Sequence, residues 1–386
     1  MKRNDDGYKG YILPDGERDW WKLHEDVCFG RAGGRVIWQP RILCWLTDRM
    51  FADGKLPGEY EGLTQPQIYR KLGCSNRVYD YNGCYNEYRD PSDNVSGGGH
   101  WLDSDTYEHY IDTPLGRVNM VLRKSPNSWA MRTIKRWITC ENDLKVWIYL
   151  EETAKWRWNG AHFDATKAEW GRLGAPCIFM PRVSIQRLYI DLMGVEETIY
   201  ALQDYPDTIE EYFKALRGSH MRMIEVINNS PINIINFGDN LHSGTLPPAL
   251  FRKYVLGDYN MRCEALHRAG KFVYSHYDGD NRGLQEMYHE TGLDGIEAIT
   301  PKPQGDVTLN EMKKYLGDMY LIDGIPAIYF DEEFPIETLE DCVKRLLELF
   351  APRLVLGISD EISSTGDIER IKRVGELVDE YNTKII

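Results

Sequence analysis

The chain has 386 residues, 42% of them hydrophobic and 27% charged, enough to bury the core of one large domain or of two ordinary ones. Its net charge of −14 argues against a general phosphate-backbone binder, which needs clustered lysine and arginine, so no nucleic-acid partner is expected. The first residues, MKRNDDGYKGYILPDGERDWW, lack the apolar centre of a secretory signal, and no run nears the roughly 18 apolar residues that span a bilayer; the expectation is a cytoplasmic protein with no membrane partner.

In chain order, residues 34–45 (GRVIWQPRILCW) predict a first strand, and residues 63–73 a helix after it. Residues 80–170 differ from the rest. They are rich in Tyr, Trp, Asn, Asp and Gly, with alternating stretches at 116–123 and 145–150 that suggest hairpins. SGGGH at 96–100 is read as a flexible turn, since no strand-turn-helix pattern surrounds it. This region is expected to be an insertion or lid over the mouth of a single domain formed by residues 1–386. Its aromatic residues would offer a flat pocket wall. Eight cysteines without paired short spacing suggest neither a disulfide framework nor a zinc ribbon.

Residues 175–183 predict the next strand. Five further apolar runs follow, each carrying an acidic residue or histidine: INIINFGDN (232–240), KFVYSHYDG (271–279), GIEAIT (295–300), MYLIDGI (319–325) and RLVLGISDE (353–361). Between them lie stretches with apolar residues three and four apart. One, at 336–350, puts Leu339, Val343, Leu346, Leu347 and Phe350 on one face and Glu340, Asp341, Lys344 and Glu348 on the other. Continuous apolar strands alternating with amphipathic helices imply right-handed crossovers and a parallel sheet covered on both faces. The predicted fold class is α/β, a (β/α)8 TIM-type barrel with seven assignable strands and room for distortion. Asp239, His276, Asp278, Glu297, Asp323, Asp360 and Glu361 would then gather at the carboxyl rim, where such barrels bind and react. Simpler roles compete for several residues. Asp239 is suited to a cap or a turn, Glu297 to pairing with a neighbouring Lys or Arg such as Lys302, Asp323 to a turn and Asp306 to an N-cap or first helical turn.

The order FGDNLHSGTLPPALFRKYV, HYDG, GLDGIEAITPKPQGD, DGIPAIYF and LVLGISDEISSTGDIERIKRV resembles the uroporphyrinogen decarboxylase superfamily over residues 190–386, and loosely over 30–75. Within it, the chain is most similar to the cobalamin-dependent methyltransferase branch, the methyl donor:corrinoid protein methyltransferases of O-demethylase systems. The resemblance implies a barrel-mouth zinc ion held by a His-x-Cys motif and a later cysteine. Here those positions read His276-Tyr277-Asp278 and Asp360, so both thiolates are replaced by carboxylates. A zinc ion on His276, Asp278 and Asp360 would be a stronger Lewis acid than one on thiolates, suited to a departing phenolate.

The implied function is transfer of a methyl group from a small methoxylated aromatic substrate, an aryl methyl ether, to Co(I) cobalamin carried by a separate corrinoid protein. Glu297, Glu361 and Asp239 are the expected catalytic carboxylates. Asn240, Trp38, Arg41 and Tyr81 are the expected substrate contacts, and a homodimer fits the superfamily. Transfer in the other direction, from methylcobalamin to an acceptor, remains an alternative. A metal-independent decarboxylase of a uroporphyrinogen-like polyacid is a second rival, but it needs several arginines to clamp carboxylates, and the matching stretch WQPRILCW keeps Arg41 alone.

Overall fold

The structure, a computed structural model, describes residues 5–385. Each of the seven apolar runs contributes a strand: β1 (Ile37–Trp38), β2 (Cys177–Met180), β3 (Ile234–Leu241), β4 (Phe272–Tyr277), β5 (Gly295–Glu297), β6 (Tyr320–Pro326) and β7 (Leu354–Ser359). They form one sheet in the order β1-β7-β6-β5-β4-β3-β2, parallel throughout. Helices cover the outside, as parallel strands require. The helix Ile336–Phe350 runs between β6 and β7 and buries Leu339, Val343, Leu346, Leu347 and Phe350 on the predicted face.

The strands do not close a ring. β1 and β2 are the edges of the curled sheet, and residues 74–82 bridge the gap between them. The amide of Ser75 donates to the Trp38 carbonyl at 3.0 Å, that of Asn76 to the Leu173 carbonyl at 2.9 Å, and the Phe179 amide to Asn82 Oδ1 at 2.8 Å. The bridge uses scattered backbone and side-chain bonds in place of a ladder, so among the described residues no eighth strand completes a (β/α)8 barrel. At the amino ends of the strands lies the helix Trp20–Cys28. Phe29, just beyond it, packs edge-on against Phe272 at the start of β4, and Glu25 accepts from Asn233 Nδ2 at 3.3 Å just before β3. That end is plugged, which leaves the carboxyl rim as the open one.

The region between β1 and β2 carries its own secondary structure. Ser96–Trp101, Thr106–Thr113, Gly116–Lys124 and Met131–Lys135 form a four-stranded antiparallel sheet, and Tyr85–Tyr88 pairs with Lys155–Trp158. Two local expectations are corrected. The SGGGH stretch is a strand, not a turn. A Cβ at Gly98 or Gly99 would come within 2.9 Å of the Tyr110 hydroxyl or 2.5 Å of the Tyr107 hydroxyl, so the glycines let the rings of the neighbouring strand lie across them. Residues 145–150 lie in the helix Glu141–Thr153, whose buried Leu144, Trp147 and Glu151 follow helical spacing, and that spacing prevails over the apparent alternation. This helix packs on the helix Pro206–Asn228, at the flank of the barrel. No helix among the described residues is long and apolar enough to cross a membrane.

Candidate active site at the carboxyl rim

The barrel interior is polar at its centre. Arg77, on the bridging segment, reaches inside with only 1% of its side chain exposed. It pairs with Glu297 at the end of β5 and through Nη2 with Asp323 Oδ1 of β6 at 2.9 Å, while its Nε donates to Gln39 Oε1 at 3.2 Å. Glu297 Oε2 also accepts from Asn236 Nδ2 of β3 at 2.7 Å and faces His276 Nδ1 of β4 at 2.8 Å. Parallel register explains the meeting, because His276 is paired with Glu297, and Glu297 with Ile322 beside Asp323. Buried charges persist only when paired and hydrogen-bonded, and here one guanidinium serves two carboxylates.

The two carboxylates are consequently unequal. Burial alone would raise Glu297, but the charge of Arg77 and the bond from His276 outweigh it, so Glu297 sits well below the usual carboxylate range. Burial pushes Asp323 up to about 6, since Arg77 only partly offsets it and Glu297 adds repulsion. An ionised Glu297 fixes a proton on His276 Nδ1 and leaves Nε2 as the nitrogen available to the rim.

Above this core lies a cavity of about 280 Å³ whose walls include His276, Asn240, Asp360, Arg41, Arg182 and Arg187. Arg182 follows β2, and Arg187 opens the π-helical turn Arg187–Leu192. Asp191 on that turn accepts from Arg182 Nη1 at 2.9 Å and from Arg187 Nη1 at 2.8 Å. Arg182 Nη2 donates onward to Asn240 Oδ1 at 3.1 Å. Arg41 stands 3.8 Å from Asp360 and 3.7 Å from Glu361, beyond hydrogen-bond reach. Asp360 keeps 60% of its side chain exposed; partial desolvation and the nearby charge of Asp278 push its carboxyl up against the pull of Arg41.

The expected site residues thus fall into separate places. His276, Asp360, Asn240 and Arg41 share the cavity. Asp278 sits beside it, with Asn240 Nδ2 at 3.4 Å. Glu297 lies beneath His276, and its partner is Arg77 in place of Lys302. Asp239 is wholly buried, accepting from the Val183 amide at 2.8 Å and the Tyr259 hydroxyl at 2.6 Å, so it pins the loop after β2. Glu361 accepts from the Cys44 amide at 2.6 Å at the start of the helix Leu43–Asp53. Trp38 is buried, its indole N–H given to the Ile371 carbonyl at 3.0 Å. Tyr81 is buried against Phe163. Neither ring lines the cavity, nor does any residue of 80–170. A smaller neighbouring cavity of about 100 Å³ does collect aromatic side chains, Tyr69, Tyr79 and Trp170, on the other side of Arg41.

The residues as placed do not fit the zinc ion that the resemblance implied. Among the described residues no three His, Cys, Asp or Glu side chains converge as a metal-holding group, and Arg41 stands beside Asp360 and Glu361 where a cation would lie. The minor roles given to two aspartates are also corrected. Asp323 is a buried strand residue held by Arg77, not a turn residue. Asp306 accepts the amides of Asn281 and Arg282, while Thr308 caps the helix Leu309–Leu316 through a capping box with Glu311.

Sequence reasoning missed Arg77, Arg182 and Arg187. One signal was present: Glu297 and Asp323 sit inside apolar runs, and buried carboxylates demand a cation. Which arginine supplies it depends on the bridging segment, which has no strand pattern to place it.

The chain matches no protein-family model and no curated protein. Among solved structures it is similar to a methyltransferase from Methanosarcina mazei, at 12% identity with a TM-score of 0.50, over 67% of this chain and 75% of that one. It is also similar to a B12-independent methionine synthase from Shewanella sp. W3-18-1, at 10% identity with a TM-score of 0.42, over 90% of this chain and 97% of that one. At such identities the likeness is one of fold.

Proposed function

We propose that this chain is a methyltransferase that takes a methyl group from a small methoxylated aromatic substrate in the rim cavity and passes it to the Co(I) cobalamin of a corrinoid partner protein. The observation that carries the reading is the His276–Glu297 pair, which presents one imidazole nitrogen to a cavity at the open end of the barrel. The architecture shared with the M. mazei methyltransferase supports it.

The corrinoid, as co-substrate, supplies the nucleophile for the methyl carbon. This chain's task is at the oxygen. As the carbon–oxygen bond breaks, its electron pair stays on oxygen, and a phenolate is a poor leaving group. His276, in its imidazolium form, donates its Nε2 proton to that oxygen, and the ionised Glu297 steadies the charged ring before transfer. Arg77 keeps Glu297 ionised. Asn240, held by Arg182, is positioned to orient the substrate.

The cavity favours this over the tetrapyrrole decarboxylase. About 280 Å³ lies just under the about 300–1,000 Å³ of small-molecule pockets, and suits one ring instead of four. A second reading, decarboxylation of a smaller acid, is favoured by the three arginines on its wall. Incubation with methoxylated aromatics and a Co(I) corrinoid protein, followed by the cobalt spectrum and by product analysis, tests both. Methyl-cobalt formation with release of the phenol supports methyl transfer; loss of carbon dioxide with the methoxy group intact supports the second reading. Starting from methylcobalamin tests the reverse direction.

A further inference from the structure

The four-stranded sheet between β1 and β2 ends in two edges that differ. Met131–Lys135 forms one of them; it carries Arg132 and Lys135, and the pairing to its neighbour shifts register between Val121 and Leu122. Charges and irregularities of this kind stop an edge from adding a further strand. Ser96–Trp101 forms the other edge and has neither. The run from 96 to 102, SGGGHWL, contains no Asp, Glu, Lys or Arg. The strand residues are all exposed, their register with Thr106–Thr113 is unbroken, and among the described residues nothing pairs with their outer side. Alternate amides and carbonyls of such a strand point outward. Trp101 and Leu102, at its end, are half exposed.

We propose that this edge is an interface between two copies of the chain, joined by antiparallel pairing of Ser96–Trp101 with itself into one continuous sheet. The proposal goes beyond the methyl-transfer reading and does not depend on it. A two-fold axis between antiparallel strands stands perpendicular to the sheet, so each face meets the same face and opposed residues are an even number of places apart. With the axis at Gly99, Trp101 of one copy opposes Gly97 of the other, His100 opposes Gly98 and Leu102 opposes Ser96. Every large side chain then meets a small residue. With the axis at Gly98, Trp101 would instead oppose Val95, a branched residue packed on the core. Gly97 is the glycine left open by its own sheet. The rings of Tyr110 and Tyr107 lie across Gly98 and Gly99, whereas the nearest atoms to a Cβ at Gly97 are the Tyr110 carbonyl oxygen at 3.1 Å and Ile111 Cγ1 at 3.8 Å. An indole from the second copy would lie over Gly97 and against Ile111, which stands opposite Gly97 on the neighbouring strand. Charge points to the same place. At a net −14, two copies repel over most of their surface, and an uncharged edge is where they approach most easily. Residues 96–102 alone make a shorter seam than the about 20–30 residues a side of a standard interface, so the dimer is weak and dissociable, held by backbone bonds and two indoles.

The test is sedimentation velocity of the full chain between about 1 and 200 µM, the span over which a micromolar dimer forms. Wild type is expected to pass from monomer to dimer. Trp101→Lys should raise the dissociation constant at least about 10-fold, the effect of losing one anchor side chain. Ile134→Lys removes a comparably exposed apolar side chain from the charged edge and should leave the dimer unchanged. Circular dichroism checks that each variant folds; Leu102→Lys serves if Trp101→Lys does not. Hydrogen exchange reads the seam directly, since amides of residues 97–101 should be slower to exchange at the high concentration than at the low one. Monomer throughout, as expected if a strand of another protein covers this edge, overturns the inference. So does a dimer unchanged in a folded Trp101→Lys, a dimer lost in a folded Ile134→Lys, or exchange at 97–101 that ignores concentration.

Discussion

Replacing Arg77 by methionine tests the electrostatic core most directly. The side chain is 1% exposed and holds two carboxylates, Glu297 and Asp323, that are themselves fully buried. Removing one partner of a buried ion pair costs about 3–5 kcal/mol, because the remaining charge has neither solvent nor a counter-ion. That is a large part of the about 5–15 kcal/mol by which domains are stable. The sign with pH is fixed. Without the guanidinium, burial pushes both carboxyls up, so the folded state binds protons more tightly than the unfolded chain. Each such group then lowers stability by about 1.4 kcal/mol per pH unit between its unfolded and folded pKa values. Because wild-type Glu297 is held below the carboxylate range by Arg77, the loss relative to wild type should already be present at pH 5 and grow further toward pH 8. Urea unfolding at several pH values measures it, with Arg77→Lys expected to be milder throughout. A loss below about 1 kcal/mol, or one that does not change with pH, would refute the account.

Three further outcomes follow from neighbouring contacts. His276→Gln should lower kcat for methyl transfer about 100- to 10,000-fold with little change in KM, since it removes the proton donor and leaves the arginines in place; an unchanged kcat in single-turnover cobalt spectra contradicts the role. Asp323 is raised from 3.8 to about 6 in the fold, so its contribution to stability is complete below about pH 4 and lost as pH rises through 6, about 3 kcal/mol in all. Asp323→Asn should flatten the fall in urea midpoint between pH 4.5 and 7; the opposing effect of Glu297 lies at lower pH. Tyr259→Phe removes the 2.6 Å donor to the buried Asp239 and should cost about 1–3 kcal/mol in urea unfolding, whereas a neutral result would mean that Asp239 does not depend on that bond.

Much of the framework was legible because it rests on local pattern. All seven strands coincide with apolar runs, and the face of the helix Ile336–Phe350 follows from spacing alone. The convergence of Glu297, His276 and Asp360 near one rim came from the same logic, since strand ends in a parallel barrel share an end. What was not legible is non-local. Residues 74–82 occupy a strand's place without a strand's pattern, so Arg77 could not be assigned to the interior. Asp323 read as a turn residue because the IDGIP composition suits one, although its neighbours on both sides are core. Trp38 and Tyr81 were read as substrate contacts from residue type, and type alone does not tell which side of a wall a ring occupies.

The bridge at residues 74–82 ties mechanical and chemical properties together. Elsewhere, adjacent strands are zipped by repeated backbone bonds, whereas here the ring is stapled at a few points, including the Ser75, Asn76 and Asn82 contacts. A ring with one stapled seam has a preferred place to yield, and amides along it should exchange with solvent before those of β6 and β7. The innermost staple is Arg77, whose charge also pairs the Glu297 carboxylate that faces His276. Opening the seam would therefore draw Arg77 away from Glu297 and His276 in the same movement, so the join and the buried charge cluster hold or fail together.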